Sequence, residues 1–312
     1  MYFDRSRNGG KGLNTYKRKA YAKINLGLDV LGRLPNGYHE VKMVMQTVDI
    51  WDELTFQKTN READDADPKN GAAGVVLTTD AGELPLDQDN LICKAVMLMR
   101  EEYGFSGGVK IHLQKNIPIA AGMAGGSTDA AATLRGINEL FELGASDEKL
   151  MELGVRIGAD VPYCVMGGTA LAEGIGEKLT RLKAAPQCSL LVVKPDVNVS
   201  TKDVYRALDA QEEILHPDID GMVAAIQKDD LDGVISRLGN VLEPVTVQQC
   251  PAVSRIRNIM DTQGADGSLM SGSGPTVFGI FADADVAERA RKQICEDEAC
   301  RVKQSFVTCF VD

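Results

Sequence analysis

Alternating apolar and polar positions predict strands at the beginning of the chain. Residues 20–31 alternate strongly, and turn-forming residues follow at 33–38. Residues 41–48 predict a second strand, and residues 53–57 continue the same sheet. Residues 61–74 are acidic, polar and rich in glycine and alanine, which is typical of a loop or a hairpin tip.

The next part of the chain has a helical period followed by a strand. Apolar residues recur at helical spacing over residues 90–103, and Asp87 or Asp89 is the expected N-terminal cap. Residues 109–113 alternate as a strand, with His112 on the polar, exposed face.

Two further helices are predicted before the middle of the chain ends. The first leaves a glycine-rich loop and runs to about Leu143, and the second spans residues 147–157 with Ser146 as its cap. Residues 167–174 then predict a strand that ends in a glycine turn, and residues 177–182 pair with it.

The composition changes near residues 174–186, where we place a soft domain boundary. Beyond it, residues 189–194 predict a strand. Helices are predicted at residues 201–209, 218–227, 231–238 and 251–263. A second glycine-rich segment, 264–276, precedes a strand at 277–281, a helix at 285–295 and a strand at 302–311. This β-α-β ending after helices is typical of a mixed α+β domain.

The glycine-rich loop between residues 116 and 134 is the feature around which the chain is organised. Gly122, Gly125 and Gly126 lack a Cβ where the backbone must bend or approach a ligand, and good helix formers follow. Unpaired N–H groups at such a helix start attract phosphate. The hydroxyls of Ser127 and Thr128 can bind phosphate or magnesium, but they are equally ordinary capping groups.

Composition and charge exclude several function classes. The 312 residues suffice for two domains, and 44% hydrophobic residues is ordinary for a globular protein. A net charge of −11 argues against a nucleic-acid or anionic-membrane partner, because like charges repel. The seven cysteines include no Cys-x-x-Cys pair, so we expect reduced thiols in a cytoplasmic protein. There is no apolar run that could cross a membrane and no signal peptide, and residues 1–17 are expected to form a disordered arm.

For two groups of polar residues, the sequence alone leaves two interpretations open. Lys23 and Asn25 lie two apart on one strand face, which is unremarkable if that face is exposed and unusual if it is inward. Asp160 stands among small and apolar residues before Pro162, so it is either a turn or helix cap or a partly buried functional carboxylate.

Four ordered motifs resemble the GHMP kinase superfamily. Residues 118–130 resemble its central phosphate loop, and residues 271–275 resemble its C-terminal glycine-rich motif. Residues 22–26 with 37–39, and residues 158–162, narrow the resemblance to the branch that phosphorylates 4-diphosphocytidyl-2-C-methyl-D-erythritol in the non-mevalonate isoprenoid pathway. The departures are small: Ala124 stands where many members have glycine, and Thr128 where many have serine.

This resemblance implies a fold, a reaction and a set of site residues. The fold is α+β, a two-domain GHMP kinase with a ribosomal protein S5 domain 2-like N-terminal domain (residues 18–175) and a ferredoxin-like α/β sandwich as C-terminal domain (residues 176–312). The reaction is transfer of the ATP γ-phosphoryl group to the C2 hydroxyl of the cytidyl substrate, with Mg²⁺ required. The implied catalytic residues are Lys23 and Asp160. The implied ATP-binding residues are Pro118, Ala120, Ala121, Gly122, Met123, Ala124, Gly125, Gly126, Ser127, Thr128 and Asp129, with Ser127 as the first candidate ligand of Mg²⁺. The implied substrate-binding residues are Asn25, Tyr38, His39, Thr201 and Tyr205, and Gly272, Ser273 and Gly274 form the second glycine-rich motif.

Two rival functions follow from the same sequence. The chain could phosphorylate another small alcohol such as homoserine or mevalonate, which the Gly37-Tyr38-His39 segment opposes. It could also be a nucleotide-binding regulatory module without chemistry, since a fold alone does not guarantee activity. A pure binder needs neither Lys23 nor Asp160. The expected partner is a small-molecule substrate, and the chain is expected to be a monomer or a weak homodimer.

Overall fold

The computed structural model describes residues 15–59, 71–82 and 84–312. The contacts divide the chain into two compact units that are not contiguous in sequence. Unit 1 comprises Met1–Tyr21, described from residue 15, together with Trp51–Ile117 and Gly125–Met166. Unit 2 comprises Ala22–Ile50, Pro118–Ala124 and Gly167–Asp312. The units therefore differ from a single cut near residues 174–186, because two long strands each contribute residues to both.

The described residues form both strands and helices over most of their length. The strands are β1 Thr15–Arg33, β2 His39–Thr59, β3 Val75–Thr79, β4 Gly108–Gln114, β5 Thr169–Gly174, β6 Lys178–Arg181, β7 Ser189–Pro195, β8 Gly239–Asn240, β9 Gly267–Met270, β10 Val277–Phe281 and β11 Val302–Cys309. The α-helices are α1 Leu91–Tyr103, α2 Gly125–Leu140, α3 Asp147–Val155, α4 Val161–Met166, α5 Thr201–Leu208, α6 Ile219–Gln227, α7 Leu231–Ile235, α8 Glu243–Gln249, α9 Ala252–Thr262 and α10 Ala284–Glu296.

Unit 1 packs helices α1–α4 with a small sheet. Strand β4 pairs antiparallel with the second half of β2, with Phe56 opposite Ile111, and parallel with β3. The apolar faces of the strands and helices form one buried core. Gly136 of α2 lies against the ring of Phe56, where a β-carbon would approach to 2.6 Å. Close helix–sheet packing therefore requires glycine at this position.

Unit 2 contains two groups of strands and helices α5–α10. The second half of β1 pairs parallel with β8, with Leu28 opposite Asn240. The first half of β2 pairs antiparallel with β5, which pairs with β6. A separate four-stranded antiparallel sheet has the order β11-β7-β10-β9. Buried strands β7 and β10 read as continuous apolar runs, as expected for strands covered on both faces.

Most predicted elements are confirmed, and several ends are corrected. The strands predicted at 41–48 and 53–57 are parts of one strand, β2. The cap of α1 is Asn90, whose side chain accepts a hydrogen bond from the Ile92 N–H, and not Asp87 or Asp89. The Ser146 cap of α3 is confirmed.

Other expectations are corrected along the chain. Residues 15–17 belong to β1, where Tyr16 packs near Phe56, so they are not part of a disordered arm. Residues 1–14 and 60–70, where the rest of the arm and most of a loop are expected, lie outside the described residues. Helix α2 begins at Gly125 and ends at Leu140, before the predicted Leu143. Helices α4 and α8 and strands β3, β8 and β9 were not predicted. No helix in the described ranges is long and apolar enough to cross a bilayer.

Candidate active site

Lys23 and Asn25 occupy an inward face of β1 in unit 2. The two residues are 5% and 0% exposed, so the interpretation of an exposed strand face is wrong. The ammonium of Lys23 donates a hydrogen bond to Oδ1 of Asn25 at 2.7 Å, and Nδ2 of Asn25 lies 3.2 Å from the sulfur of Met43. A lysine this buried is uncommon in proteins unless it is paired or functional.

The first half of the glycine-rich loop, Pro118–Ala124, also belongs to unit 2 and is anchored to β1. The N–H of Lys23 donates to the carbonyl of Met123 at 3.2 Å. Ala120, Gly122 and Ala124 all have positive φ, at 52°, 71° and 57°. Left-handed backbone is costly for the two alanines. The loop therefore holds a backbone conformation that its sequence does not favour, which is typical of a functional segment.

The second glycine-rich motif lies directly against this half of the loop. The hydroxyl of Ser271 donates to the carbonyl of Gly122 at 3.0 Å and accepts from the N–H of Asn25 at 3.3 Å. Gly272 and Gly274 have φ of 59° and 82°, which favours glycine. Ser273 exchanges a hydrogen bond with the hydroxyl of Thr201 at 2.8 Å. Unit 2 therefore brings together Lys23, Asn25, the loop and the second motif.

The second half of the loop is the first turn of α2 in unit 1. Gly125, Gly126 and Ser127 begin the helix, and Gly126 is exposed. The Thr128 hydroxyl donates to the carbonyl of Tyr21 at 2.7 Å, so it is engaged within the unit. The first N–H groups of a helix have no partner within the helix, and such groups attract anions.

Asp129 belongs to a buried charge network instead of lying open in the loop. Its Oδ2 accepts a hydrogen bond from the Lys115 ammonium at 2.6 Å, and Lys115 also donates to Asp52 at 2.5 Å. The other oxygen of Asp52 accepts the N–H groups of Asn116 and Ile117 at 2.6 and 2.8 Å. This network ties the chain entering the loop to the helix leaving it.

The protonation of this network follows from its burial. Burial raises the pKa of Asp129 well above its ordinary value, although the Lys115 ammonium opposes the shift. Burial also disfavours the ammonium of Lys115, but the carboxylates of Asp129 and Asp52 outweigh it and raise the pKa of Lys115. Oδ1 of Asp129 is buried and has no hydrogen-bond partner among the described residues.

Asp160 precedes α4 in unit 1. Its carbonyl accepts the N–H of Cys164 at 3.0 Å, and the residue is partly buried. Asp160 thus stands where an N-terminal cap is expected. This position fits the interpretation of Asp160 as a helix cap. It is also compatible with a functional carboxylate, since a half-buried carboxylate can cap a helix and contact a substrate.

Three of the five residues implied to bind substrate lie on or against one helix of unit 2: Thr201 and Tyr205 are on α5, and His39 packs against it. Nε2 of His39 lies 2.7 Å from Oδ1 of Asp209, at the end of α5, and its ring centroid lies 4.7 Å from that of Tyr205. Tyr38 is 60% exposed, so its ring is available for stacking. Asp209 was not expected from the sequence, because 170 residues separate it from His39.

Comparisons with known proteins show the family of this chain. The sequence profile of the GHMP kinases N terminal domain matches residues 90–168, and that of the GHMP kinases C terminal domain matches residues 222–299. The 4-diphosphocytidyl-2-C-methyl-D-erythritol kinase of Lachnospira eligens is 53% identical over 87% of this chain and 90% of its own length. The kinase of the same name from Caldicellulosiruptor bescii is 47% identical over 89% of this chain and 93% of its own.

Solved structures show the same fold. A crystal structure of 4-(cytidine 5'-diphospho)-2C-methyl-D-erythritol kinase superposes with a TM-score of 0.75 at 29% identity, over 95% of this chain and 99% of that one. Homoserine kinase from Cytophaga hutchinsonii reaches the same TM-score, 0.75, at 21% identity over 100% of this chain and 97% of its own, and shows the fold alone. The α+β GHMP kinase fold expected from the sequence is confirmed. The chain belongs to the family of 4-diphosphocytidyl-2-C-methyl-D-erythritol kinases, within the GHMP kinases.

Proposed function

We propose that this protein transfers the γ-phosphoryl group of ATP to the C2 hydroxyl of 4-diphosphocytidyl-2-C-methyl-D-erythritol, in the non-mevalonate route to isoprenoid precursors. The observation that carries the proposal is the buried pair of Lys23 and Asn25 beside the glycine-rich loop in unit 2. A buried ammonium there supplies the positive charge that an acidic protein otherwise lacks near phosphates. The family membership supplies the substrate class.

Residues 118–129 bind the ATP phosphates in this proposal. The positive φ angles of Ala120, Gly122 and Ala124 shape the loop, and the first turn of α2 offers its free N–H groups to the phosphate oxygens. The side chains of Thr128 and Asp129 are engaged inside unit 1, so their contribution is to hold the turn while its backbone binds.

Lys23 and Asp160 carry the chemistry in this proposal. Asp160 orients or accepts the proton of the acceptor hydroxyl, and Lys23 offsets charge that develops on the transferred phosphoryl group. Phosphoryl transfer depends mostly on positioning and charge neutralisation, so two such groups suffice beside a well-bound nucleotide. Both assignments rest on the family resemblance of residues 22–26 and 158–162.

The residues present fit a magnesium ion that arrives with ATP. Mg²⁺ keeps several waters and takes only one or two protein ligands beside phosphate oxygens. The described residues contain no cluster of three His, Cys, Asp or Glu side chains that would hold a metal by itself. Ser127 is a partly buried residue in the first turn of α2, and its hydroxyl would supply the protein ligand. When bound, Mg²⁺ neutralises phosphate charge.

The substrate's cytidyl group is bound by residues at and just before the start of β2 and on α5 in this proposal. Tyr38 supplies an exposed ring for stacking on the pyrimidine, and His39 supplies a polar edge. Tyr205 and Asp209 hold the His39 ring from α5. Thr201, also on α5, and Asn25 on β1 line the substrate in the same proposal.

The position of the new phosphate tests the proposal. In this substrate C2 bears a methyl group and no hydrogen, so a phosphate on its hydroxyl shows no three-bond coupling to a carbinol proton. We expect the ³¹P spectrum of the product to gain one uncoupled phosphomonoester signal with the diphosphate signals retained. A signal coupled to carbinol protons would place the phosphate elsewhere and overturn the assignment.

A further inference from the structure

We infer that Asn240, with Glu243 and Thr246 on its C-terminal side, is a positioning residue that holds Lys23 and the ATP loop in their working arrangement through the second glycine-rich motif. This inference rests on the proposed function. All the contacts that carry it lie within unit 2.

The Asn240 side chain forms hydrogen bonds with the backbone of the second glycine-rich motif. Its side chain is buried, and Nδ2 donates to the carbonyls of Met270 and Gly272, both at 2.8 Å. Its Oδ1 accepts the N–H of Leu242 at 2.9 Å. Three of the hydrogen bonds that an amide side chain can form are therefore made, in a site closed to water. Removing the donor group would leave two buried carbonyls without a partner.

Glu243 and Thr246 continue this support on α8. The Glu243 carboxylate accepts the N–H of Met270 at 2.7 Å and is itself paired with Arg257. The Thr246 hydroxyl donates to the carbonyl of Ser273 at 3.2 Å. The backbone from residue 270 to residue 273 is thus held by three side chains from residues 240–246. Side-chain networks of this kind fix one conformation when every member is satisfied.

Ser271 and Gly272 of the motif contact the glycine-rich loop and the strand that carries Lys23. Ser271 bonds the Gly122 carbonyl and the Asn25 N–H, and a β-carbon on Gly272 would lie 3.1 Å from the Gly122 oxygen. Asn25 in turn accepts the hydrogen bond from Lys23. Asn240, on β8, also lies opposite Leu28, and Leu28 is on β1 together with Lys23 and Asn25. A shift of the motif therefore displaces the loop and the lysine together, and small displacements at such groups are costly for transfer.

A matched pair of asparagine variants tests the inference. Asn240→Asp keeps the size of the side chain and the bond to Leu242, but it replaces the donor by an oxygen facing two carbonyls. Asn138→Asp makes the same change in unit 1, where Nδ2 donates to and Oδ1 accepts from the backbone of Ala145, each at 2.9 Å. Both variants lose backbone hydrogen bonds, but Asn138 lies near the C-terminal end of α2, far along the helix from its first turn, and its side chain bonds Ala145, whereas Asn240 bonds the second glycine-rich motif.

The readouts are the Kd of a nonhydrolysable ATP analogue, kcat, and the midpoint of thermal unfolding, on the full-length chain. For Asn240→Asp we expect the analogue's Kd to rise about tenfold, roughly the net contribution of the two lost hydrogen bonds, and kcat to fall by at least as much. KM for the cytidyl substrate should change less. Asn138→Asp should lower the unfolding midpoint and leave Kd and kcat unchanged. A folded Asn240→Asp with wild-type Kd and kcat would overturn the inference, as would equal losses of binding in the two variants.

A milder variant covers the case in which Asn240→Asp does not fold. Thr246→Val removes only the hydroxyl that donates to Ser273, and we expect a rise of roughly threefold in the analogue's Kd. Wild-type binding by Thr246→Val would then count against the inference. The proposed function is judged separately by turnover of the wild-type protein, because analogue binding needs no acceptor.

Discussion

A β-carbon on Gly122 would lie 2.3 Å from the carbonyl oxygen of Ser271, well inside any normal contact. The two residues are 149 positions apart, and the Ser271 hydroxyl also bonds the Gly122 carbonyl at 3.0 Å. Gly122 therefore combines a left-handed φ of 71° with a backbone approach that no other residue allows. The glycine-rich loop and the second glycine-rich motif therefore fit each other closely at this point.

Gly122→Ala should accordingly lose ATP binding. The substitution adds a steric conflict with backbone to the strain of a left-handed alanine, together about 2–5 kcal/mol. We expect titration calorimetry to show ATP affinity reduced by at least tenfold. Gly144→Ala is the matched control, because Gly144 has φ of 73° but no atom within 4 Å of its added β-carbon. Equal ATP affinity in wild type and Gly122→Ala would contradict the account.

Asp160→Asn separates a catalytic carboxylate from a helix cap. Asparagine caps a helix about as well as aspartate, so a purely structural role predicts normal activity. We expect kcat to fall by about 10²- to 10⁴-fold with the Kd for ATP largely kept, since general acid–base groups contribute that much. Asp230→Asn, at the cap of α7, provides the control and should leave kcat unchanged. An unaltered kcat in Asp160→Asn would remove Asp160 from the chemistry.

His39→Ala should affect one substrate more than the other. The ring of His39 is held by Asp209 and Tyr205 and would bond the pyrimidine edge. We expect KM for the cytidyl substrate to rise about tenfold while KM for ATP stays within twofold, as for the loss of one hydrogen bond. His112→Ala serves as control, since His112 is exposed on β4 and bonds Thr78 at 3.0 Å. A parallel rise in both KM values would argue for a general structural role.

The buried Asp129 should make stability fall as the pH rises. Its pKa is raised by burial in the folded protein above the ordinary value of 3.8. The folded state therefore holds a proton that the unfolded state has released. The stability linked to this proton is fully present below the unfolded pKa and is lost as the pH rises through the folded pKa.

Urea unfolding of wild type and Asp129→Asn at pH 5, 6.5 and 8 measures this linkage. The free energy of unfolding of wild type, relative to the variant, should decrease with pH, by at most about 1.4 kcal/mol per pH unit for one proton. Asp297→Asn gives the contrast: a hydrogen bond from Arg255 lowers the pKa of Asp297, so its contribution is lost only toward acid pH. A difference for Asp129 that increases with pH would show that its carboxylate is stabilised by folding.

The sequence predicted the elements better than their ends and partners. The strand with Lys23 and Asn25, the loop and the β-α-β ending follow from local pattern and turn chemistry. Three Asp or Asn residues precede α1 within four positions, so Asn90 could not be distinguished from Asp87 and Asp89 as its cap.

A local sequence pattern does not predict contacts between residues that are far apart in the chain. The burial of Lys23 depends on the elements packed over β1, which alternation alone cannot reveal. Asp209 meets His39, and Asn240 meets Met270 and Gly272, only after the chain has folded. A signal for Asn240 does exist in the sequence, because it is a polar residue in the otherwise apolar run around residues 238–242. Polar residues of that kind are buried only when they are satisfied.

The most direct test of the central claim is ADP release by the purified protein with Mg-ATP and different acceptors. We would compare 4-diphosphocytidyl-2-C-methyl-D-erythritol with homoserine, mevalonate and no acceptor at equal concentrations. The account predicts turnover with the cytidyl substrate and only background release with the other three. Equal or faster turnover with homoserine or mevalonate, or ATP binding without turnover on any acceptor, would contradict it.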